Sequence, residues 1–313
     1  MKKISLIVSV YNEEQGLLEF YNTADGIMKE YTASPQGADY AYEFWFINDG
    51  SADASGEILG KLRKGSPDTV KVVTFSRNFG HEAAMCAGLD CADGDYLIFL
   101  DADLQHPPAL IPKIMEAFSG GAMVINMVRI KNEDAGKWKN VTSRLYYNLF
   151  NRLSEVHLEP GASDFFAMAK APAEVLRKNY RNKIRFLRGY VQNIGFKKEI
   201  IEYEAAKRAA GESHYNFRKL LKLSLDTLVS FSDIPLKAGI YAGFICAVIG
   251  AAIIIYTLFT RDGAPSGYAT IITVLCFMFS VLFFVLGALG RYIQMLADEI
   301  KDRPIYIIEN LEE

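Results

Sequence analysis

The stretch that decides the fold is Leu97–Pro108, with the sequence LIFLDADLQHPP. Its apolar half is typical of a buried strand, yet the run ends at two aspartates, Asp101 and Asp103, that are separated by a single alanine. Two carboxylates that lean towards a common point repel each other, and one of them takes up a proton unless a positive charge compensates. The strand end therefore predicts a polar site that needs a counter-charge.

The residues before and after this stretch alternate short β-branched or aromatic runs with helical segments. Strands spaced by helices predict parallel βαβ units in a doubly wound α/β sheet. The sequence predicts strands over residues 4–10, 42–48, 70–75, 96–100 and 122–128, and helices after Asn12 and over residues 54–63, 81–92 and 109–118.

Polar residues follow each of the first four predicted strands. In parallel sheets, ligands bind beyond the carboxyl ends of the strands, so these residues are expected to share one edge. They are Tyr11-Asn12-Glu13, Asn48-Asp49-Gly50-Ser51, Ser76-Arg77-Asn78 and Asp101-Ala102-Asp103. The sequence has neither a GxGxxG nor a GxxxxGK[ST] pattern, which argues against a dinucleotide fold and a P-loop.

A hard divalent cation would remove the conflict between Asp101 and Asp103. Oxygen ligands suit Mg²⁺ or Mn²⁺, which keep waters and phosphate oxygens as further ligands, and Gln105 adds a neutral oxygen. The alternative is a surface turn with a helix-capping aspartate. The strand before the pair and the polar edge around it favour the metal site.

Two uncharged stretches, residues 238–259 and 268–290, are each long enough to cross a bilayer as a helix. The alternative is a pair of buried core helices. The short link between them contains glycines and a proline, so we expect a hairpin, and the flanking Lys219, Lys222, Lys237, Arg291, Lys301 and Arg303 place both its ends in the cytoplasm. Only a seven-residue, mainly apolar run, Ile4–Val10, follows the first lysines, too short for a secretory signal.

The net charge of −3 hides an asymmetry along the chain. Residues 1–128 carry nine Lys and Arg against eighteen Asp and Glu, whereas residues 170–222 carry fourteen against five. A solvated basic face would explain the second block. Its position just before the predicted hairpin favours contact with anionic headgroups or with a phosphorylated lipid. Phe217–Phe231 has the spacing of an interfacial helix, or of an ordinary amphipathic core helix.

An ordered set of segments resembles the family 2 inverting glycosyltransferases with the GT-A fold. The segments are Val8–Glu14, Asn48–Ser51, Ser76–His81 and Asp101–Pro108. Arg185–Gly189, Gly211–Ser213 and the paired C-terminal helices are similar to the polyprenyl-phosphate glycosyltransferases, which include the undecaprenyl-phosphate glucosyltransferases and the dolichol-phosphate mannose and glucose synthases. The resemblance covers almost the whole chain in the family's order.

The resemblance implies a role for particular residues. Tyr11, Glu13, Asp49, Arg77, Asn78 and Asp101 would bind the nucleotide-sugar, and Asp101, Asp103 and Gln105 would hold Mg²⁺ or Mn²⁺. Asp103 and Asp164 would be catalytic, and Arg185 and Arg188, which are three residues apart, would bind the acceptor phosphate. Three positions depart from the family: Ser9 stands where proline is usual, Asn48 where aspartate is frequent, and Phe166 where arginine is common.

The expected organisation is a GT-A domain over residues 1–170, a basic acceptor-binding and interfacial segment over 171–235, the hairpin over 236–292 and a cytoplasmic tail over 293–313. The expected reaction is inverting transfer of one sugar, from UDP-glucose or another UDP-hexose, to polyprenyl (undecaprenyl) phosphate at the cytoplasmic membrane face. Expected partners are the nucleotide-sugar, the lipid phosphate, the bilayer, further copies of the chain as in a tetramer and a lipid-sugar flippase, but not nucleic acid. The alternatives are a processive polysaccharide synthase and a non-catalytic nucleotide-sugar-binding scaffold.

Overall fold

The computed structural model describes residues 1–131, 159–181, 186–204, 234–259, 267–301 and 303–312. The chain divides into two compact units. The first comprises Met1–Arg152, Val156–Tyr215 and Pro304–Glu313, and the second comprises Leu153–Glu155 and Asn216–Arg303. The first unit is therefore built from chain segments that precede and follow the second.

The first unit is built on a mixed sheet with the strand order β7-β5-β6-β4-β1-β2-β3-β8. The strands are β1 (Lys2–Val10), β2 (Tyr40–Asn48), β3 (Val70–Phe75), β4 (Tyr96–Asp101), β5 (Val124–Lys131), β6 (Ala162–Ala169), β7 (Lys198–Glu204) and β8 (Ile308–Glu312). The helices are α1 (Leu17–Ala33), α2 (Ser55–Gly65), α3 (His81–Cys91), α4 (Ile111–Ser119), α5 (Lys170–Asn179) and α6 (Leu187–Asn193).

The centre of the sheet confirms the parallel arrangement predicted from the sequence. Strands β3, β2, β1 and β4 are neighbours and run parallel, with Ser9 of β1 level with Asp101 of β4 and Val10 level with Asn48 of β2. The carboxyl ends of these four strands therefore lie at one edge of the sheet. The polar residues that follow them come together there, as parallel pairing requires.

Three strands of this sheet were not predicted. Strand β6 lies antiparallel between β4 and β5, β7 adds parallel to β5, and β8 adds antiparallel to β3. The sequence of β8, IENLE, is too polar to identify as a strand by pattern, and β6 carries two adjacent buried phenylalanines instead of a strict alternation. The sheet thus includes segments that follow residue 170.

The two faces of the sheet bury separate apolar clusters. One cluster includes the side of β1 that carries Leu6 and Val8 and packs under α1 and α4. The other includes Ile7, Phe99 and Phe166, together with apolar residues of α3, α5 and α6. Because side chains alternate along a strand, Ser9 and Asp101, two residues beyond Ile7 and Phe99, lie on the α3 face.

The second unit contains two long helices, α7 (Ile234–Phe259) and α8 (Tyr268–Ile300). Gly239 of α7 is buried, and a Cβ atom there would lie 2.7 Å from Val285 of α8, so the helices pack closely at this point. Among the described residues, one stretch, Phe277–Ile300, is long and apolar enough to cross a membrane. It begins and ends later than the predicted span at 268–290, because α8 continues to Ile300. The predicted interfacial helix at 217–231 lies outside the described residues.

The conformation of the loop after β2 depends on a glycine at position 50. Gly50 has φ of +64°, and a Cβ atom there would collide with the carbonyl carbon of Arg77. Gly50→Ala should therefore lower the melting temperature by several degrees, because both the backbone conformation and the contact with the Arg77 loop are lost. Thermal unfolding of the detergent-purified protein measures this effect.

Gly60→Ala is the matched control. Gly60 lies inside α2, and no atom of the described residues lies within 4 Å of the position that an alanine Cβ would take there. Alanine should therefore keep or raise the melting temperature through its higher helix propensity. Equal melting temperatures for Gly50→Ala and the wild type would contradict the role of the tight loop.

Candidate functional site

The site is organised by a row of side chains that crosses β1, β4 and β6. Ser9 is level with Asp101, and the Ser9 hydroxyl donates a hydrogen bond of 3.0 Å to Asp101 Oδ1. The antiparallel pairing of β4 with β6 ends at Phe99 and Phe166. Continuing that register by two residues brings Asp164 opposite Asp101. Two carboxylates and one hydroxyl therefore lie side by side on the α3 face.

His81, the first residue of α3, lies over this row. Its Nδ1 is 3.0 Å from the Ser9 hydroxyl oxygen and 3.7 Å from Asp101 Oδ1, and its Nε2 is 3.8 Å from Asp164 Oδ2. Because the Ser9 proton goes to Asp101, His81 Nδ1 must be the donor to Ser9. Burial lowers the pKa of His81, but the carboxylates of Asp101, Asp164 and Glu82 outweigh it and raise that pKa above its ordinary value. The imidazole of His81 thus bridges the side chains of Asp101 and Asp164.

Arg188 approaches Asp164 from the other side. Its Nη1 is 3.4 Å from Asp164 Oδ1 and 3.3 Å from the carbonyl oxygen of Ala162. Arg188 lies in the first turn of α6, where the backbone N–H of Leu187 donates a 3.0 Å hydrogen bond to Glu82 Oε2. Burial raises the pKa of Glu82 to about 7, with Asp164 acting in the same direction. Glu82 therefore attaches the helix that carries Arg188 to the first turn of α3.

The loop after β4 places the other predicted metal ligands. Asp103 is 8% exposed and its Oδ1 accepts the backbone N–H of Gln105, while Gln105 Oε1 is 3.5 Å from Arg129 Nη2. The described residues contain no ready group of three acidic, histidine or cysteine ligands. Mg²⁺ and Mn²⁺ commonly use one or two carboxylates and take their other ligands from phosphate and water. Asp101 and Asp103 fit that chemistry, whereas Gln105 already faces a guanidinium.

His106 fixes the backbone at the start of this loop. The N–H of Asp101 donates a 3.1 Å hydrogen bond to His106 Nδ1, so the ring proton is on Nε2. The ring is buried and stacks on Phe165 with a centroid distance of 5.2 Å. Burial lowers the pKa of His106 despite the acids nearby. The buried imidazole therefore holds the backbone of Asp101 at the strand end.

The residues predicted to bind the nucleotide-sugar lie at the carboxyl ends of β1, β2 and β3. Tyr11, Arg77 and Asn78 are exposed, and the Arg77 guanidinium lies 4.0 Å above the ring of Phe79. Asp49 is 3% exposed, and its two oxygens accept the N–H groups of Phe79 and Gly80 at 2.6 and 2.9 Å. Burial raises the pKa of Asp49, and these two N–H groups oppose that shift. Asp49 thus shapes the loop that presents Arg77.

Glu13 lies at the turn after β1. Its backbone N–H donates a 2.9 Å hydrogen bond to the Ser55 hydroxyl, and its carbonyl oxygen accepts the N–H of Leu17 at the start of α1. Asn12, beside it, has φ of +56°. These contacts hold the turn against the start of α2, at the same edge of the sheet as Asp101.

Sequence reasoning missed Ser9, His81, Glu82 and Arg129 as members of this site. In the sequence Ser9 stands out only as a departure from proline, and Arg129 is distant from Gln105, the residue that its side chain contacts. The guanidinium Nε of Arg129 is buried and has no hydrogen-bond partner among the described residues, as is also true of His81 Nε2. Arg185 lies outside the described residues, so its predicted helical pairing with Arg188 stays a prediction.

Phe166 replaces the arginine expected beside Asp164 and is part of the core. It is 2% exposed and stacks on Phe99, with ring centroids 4.5 Å apart. The positive charge next to Asp164 is supplied by Arg188 instead. Although Phe166 is uncharged, Asp164 still has a basic neighbour, Arg188 of α6.

Comparison with known proteins agrees with this arrangement over most of the chain. Residues 5–176 match the family model described as glycosyl transferase family 2. The chain is 36% identical over 312 residues to the bactoprenol glucosyl transferase of Shigella phage SfV, covering 98% of both proteins. It is 35% identical over 308 residues to the uncharacterized glycosyltransferase YkcC of Bacillus subtilis (strain 168), covering 97% of this chain and 93% of that protein.

A further relative extends the match across both units. The prophage bactoprenol glucosyl transferase homolog of Escherichia coli (strain K12) is 35% identical over 313 residues, covering 99% of each protein. Together with the mixed GT-A-like sheet and the acidic residues at its edge, these matches identify the class of the protein. The chain belongs to glycosyltransferase family 2.

Proposed function

We propose that this protein transfers a single sugar from a UDP-hexose, with UDP-glucose the first candidate, to polyprenyl phosphate at the cytoplasmic face of the membrane, with inversion at the anomeric carbon. One observation carries the proposal. Asp164 lies between His81, which also contacts Asp101 on the donor side, and Arg188, which was predicted to bind the acceptor phosphate. The residues predicted for the donor and for the acceptor thus converge on one carboxylate.

The donor would bind at the carboxyl ends of β1 to β4. Tyr11, Glu13 and the Asp49 loop would bind the base and ribose, and Arg77 and Asn78 would bind the diphosphate. The near-full-length similarity to bactoprenol glucosyl transferases favours glucose as the sugar. The relatives' names do not mention the nucleotide, so UDP rests on the resemblance carried by the sequence motifs.

Asp101 and Asp103 would hold the divalent cation. When bound, Mg²⁺ or Mn²⁺ would offset the charge that develops on the diphosphate as it leaves. The protein's own part is to fix the two carboxylates: Ser9 and His106 orient Asp101, and the Gln105 N–H orients Asp103. Arg129, whose buried Nε–H has no partner among the described residues, is a further donor available to an anionic ligand beside this loop.

The acceptor needs positioning more than it needs deprotonation. A phosphate monoester has its second pKa at about 6 and is largely dianionic at neutral pH, so its oxygen is already nucleophilic. Arg188 can pair with that phosphate, because a guanidinium matches phosphate oxygens. We therefore assign Asp164 the role of orienting the acceptor or the sugar through Arg188 and His81, in place of proton abstraction.

The path of the chain supports a membrane hairpin. β8 belongs to the same sheet as β1–β7 but follows α7 and α8 in the sequence. A folded sheet cannot be divided by a bilayer, so the chain must cross the membrane an even number of times between β7 and β8. If α8 spans the membrane through Phe277–Ile300, α7 is the partner that restores an even number. The basic residues around both helices favour the cytoplasm for the sheet.

The direct test uses membranes from cells that express the chain, incubated with undecaprenyl phosphate and a panel of labelled UDP- and GDP-sugars. We expect label in the lipid fraction with a UDP-hexose. Hydrolysis of the donor without a lipid product would contradict polyprenyl phosphate as the acceptor. A long polymer in place of a single lipid-linked sugar would favour a processive synthase.

Removal of the metal or of its ligand should abolish transfer. EDTA should stop the reaction until Mg²⁺ or Mn²⁺ is restored, and Asp103→Ala should lower kcat by roughly 10² to 10⁴-fold, because the leaving diphosphate loses its compensating charge. Asp68→Ala, at an exposed position before β3, is the control and should keep full activity. Full activity in excess chelator would contradict the metal site.

Loss of Arg188 should act on the acceptor. Arg188→Ala should raise KM for polyprenyl phosphate about 10-fold or more and change KM for the nucleotide-sugar by less than about 3-fold, since a charge-assisted hydrogen bond to the acceptor is lost. Lys198→Ala, in the same basic segment but paired with Glu159, serves as the control. Equal increases in KM for both substrates would instead indicate that Arg188 acts at the donor site.

Changes at Asp164 distinguish positioning from base catalysis. Asp164→Asn keeps the shape of the side chain and one of its two acceptor oxygens and should retain substantial activity above about pH 7, whereas Asp164→Ala should lose more. The measurement is kcat for both variants from about pH 5.5 to about pH 8.5. If both are equally inactive at every pH, a carboxylate is required and the positioning role is wrong.

A further inference from the structure

The C-terminal segment after α8 returns to the sheet and contacts the loop that carries Arg77. Strand β8 pairs antiparallel with β3, with Phe75 level with Ile308, and the register shifts between Thr74 and Phe75. Beyond the strand, the N–H of Ser76 donates a 3.0 Å hydrogen bond to the carbonyl oxygen of Ile307. The tail thus continues its pairing up to the residue that precedes Arg77.

An aromatic chain runs from the tail to Arg77. The ring of Tyr306 stacks on Phe75, with centroids 5.2 Å apart and planes 6° apart. Phe75 in turn packs edge to face against Phe79, with ring centroids 5.8 Å apart. The Arg77 guanidinium lies 4.0 Å above the ring of Phe79. Aromatic stacking and a cation over an aromatic face both have preferred orientations and are both favourable in energy. Successive contacts between four side chains therefore connect Tyr306 of the C-terminal segment to Arg77 of the loop after β3.

Tyr306 is itself fixed at its far end. Its hydroxyl donates a 2.7 Å hydrogen bond to Asp90 Oδ2, and Arg181 contacts the other oxygen of Asp90 at 2.6 Å. Asp90 belongs to α3, the helix whose first turn carries His81 and Glu82. The ring of Tyr306 is thus held in orientation by α3, while its face supports Phe75.

The opposite side of the same loop is held by Asp49, whose carboxylate accepts the N–H groups of Phe79 and Gly80. Ser76 and Gly80, the two ends of the loop, are therefore both anchored through their backbones, one by the tail and one by Asp49. Arg77 and Asn78, between these anchors, are exposed.

We propose that residues 303–307, the segment that leads into β8, support the donor site, and that Tyr306 is a positioning residue that sets Arg77 for the nucleotide diphosphate. The inference rests on the proposed use of Arg77 and Asn78 in donor binding. It assigns the residues after α8 a function in catalysis, in addition to their place in the sheet. Removal of the Tyr306 ring should loosen the Arg77 loop and weaken binding of the nucleotide.

The test uses the full-length chain in detergent and UDP as the probe, measured by titration calorimetry. Tyr306→Ala should weaken UDP binding about 10-fold, because Arg77 loses its supported geometry. Tyr306→Phe keeps the stacked ring and should stay within about 3-fold of the wild type. Asn310→Ala, on β8 with its side chain bonded to Glu312, should bind UDP as the wild type does.

A double variant separates positioning from general destabilisation. If Tyr306 acts through Arg77, adding Tyr306→Ala to Arg77→Ala should weaken UDP binding no further than Arg77→Ala alone. Additive losses, wild-type affinity in Tyr306→Ala, or an equal loss in Asn310→Ala would each overturn the proposal.

Amide hydrogen exchange of residues 76–80 tests the positioning without any ligand. Exchange in this loop should be faster in Tyr306→Ala than in Tyr306→Phe and the wild type. Absence of UDP binding by the wild-type chain would contradict the proposed donor, and the exchange result would then decide the positioning role by itself. Unchanged exchange in Tyr306→Ala would overturn it.

Discussion

The structure of the site depends on the need to place two carboxylates side by side at the edge of a buried sheet. Neighbouring carboxylates repel each other, and basic side chains beside them reduce that repulsion. His81 lies within 3.8 Å of both Asp101 and Asp164, and Arg188 lies 3.4 Å from Asp164. The first turns of α3 and α6, which carry these two basic side chains, therefore lie against the ends of β4 and β6.

This requirement explains why α3 and α6 are joined at their starts. Glu82, next to His81, accepts the N–H of Leu187, next to Arg188. A shift of α6 would break that hydrogen bond and withdraw Arg188 from Asp164 at the same time. Arg188 and Asp101 are thus held in one network, although α3 and α6 are far apart in the sequence. Such a network is consistent with a reaction in which two bound substrates must meet in a defined geometry.

The departures from the family pattern have local physical explanations. Ser9, in place of proline, provides the hydroxyl that links His81 to Asp101. Asn48, in place of aspartate, accepts the N–H of Ser51 through its side-chain oxygen and so closes the turn without adding a further negative charge. Phe166, in place of arginine, fills the core against Phe99, and the cation beside Asp164 comes from α6. In each case the local function is retained or transferred to a neighbour.

The sequence alone determined the parallel centre of the sheet, because β1 to β4 are strongly apolar runs separated by helical segments and end in polar residues. It also determined that Asp101 and Asp103 lie at the same edge of the sheet as the polar residues after β1, β2 and β3, since parallel strands end on the same side. It did not reveal β6, β7 or β8, whose patterns are weak and whose pairing depends on partners distant in sequence. Only the tertiary structure showed that Ser9, His81 and Arg188 surround Asp101 and Asp164 and that Tyr306 supports the Arg77 loop. Contacts of this kind arise from packing between distant segments, which local residue preferences do not encode.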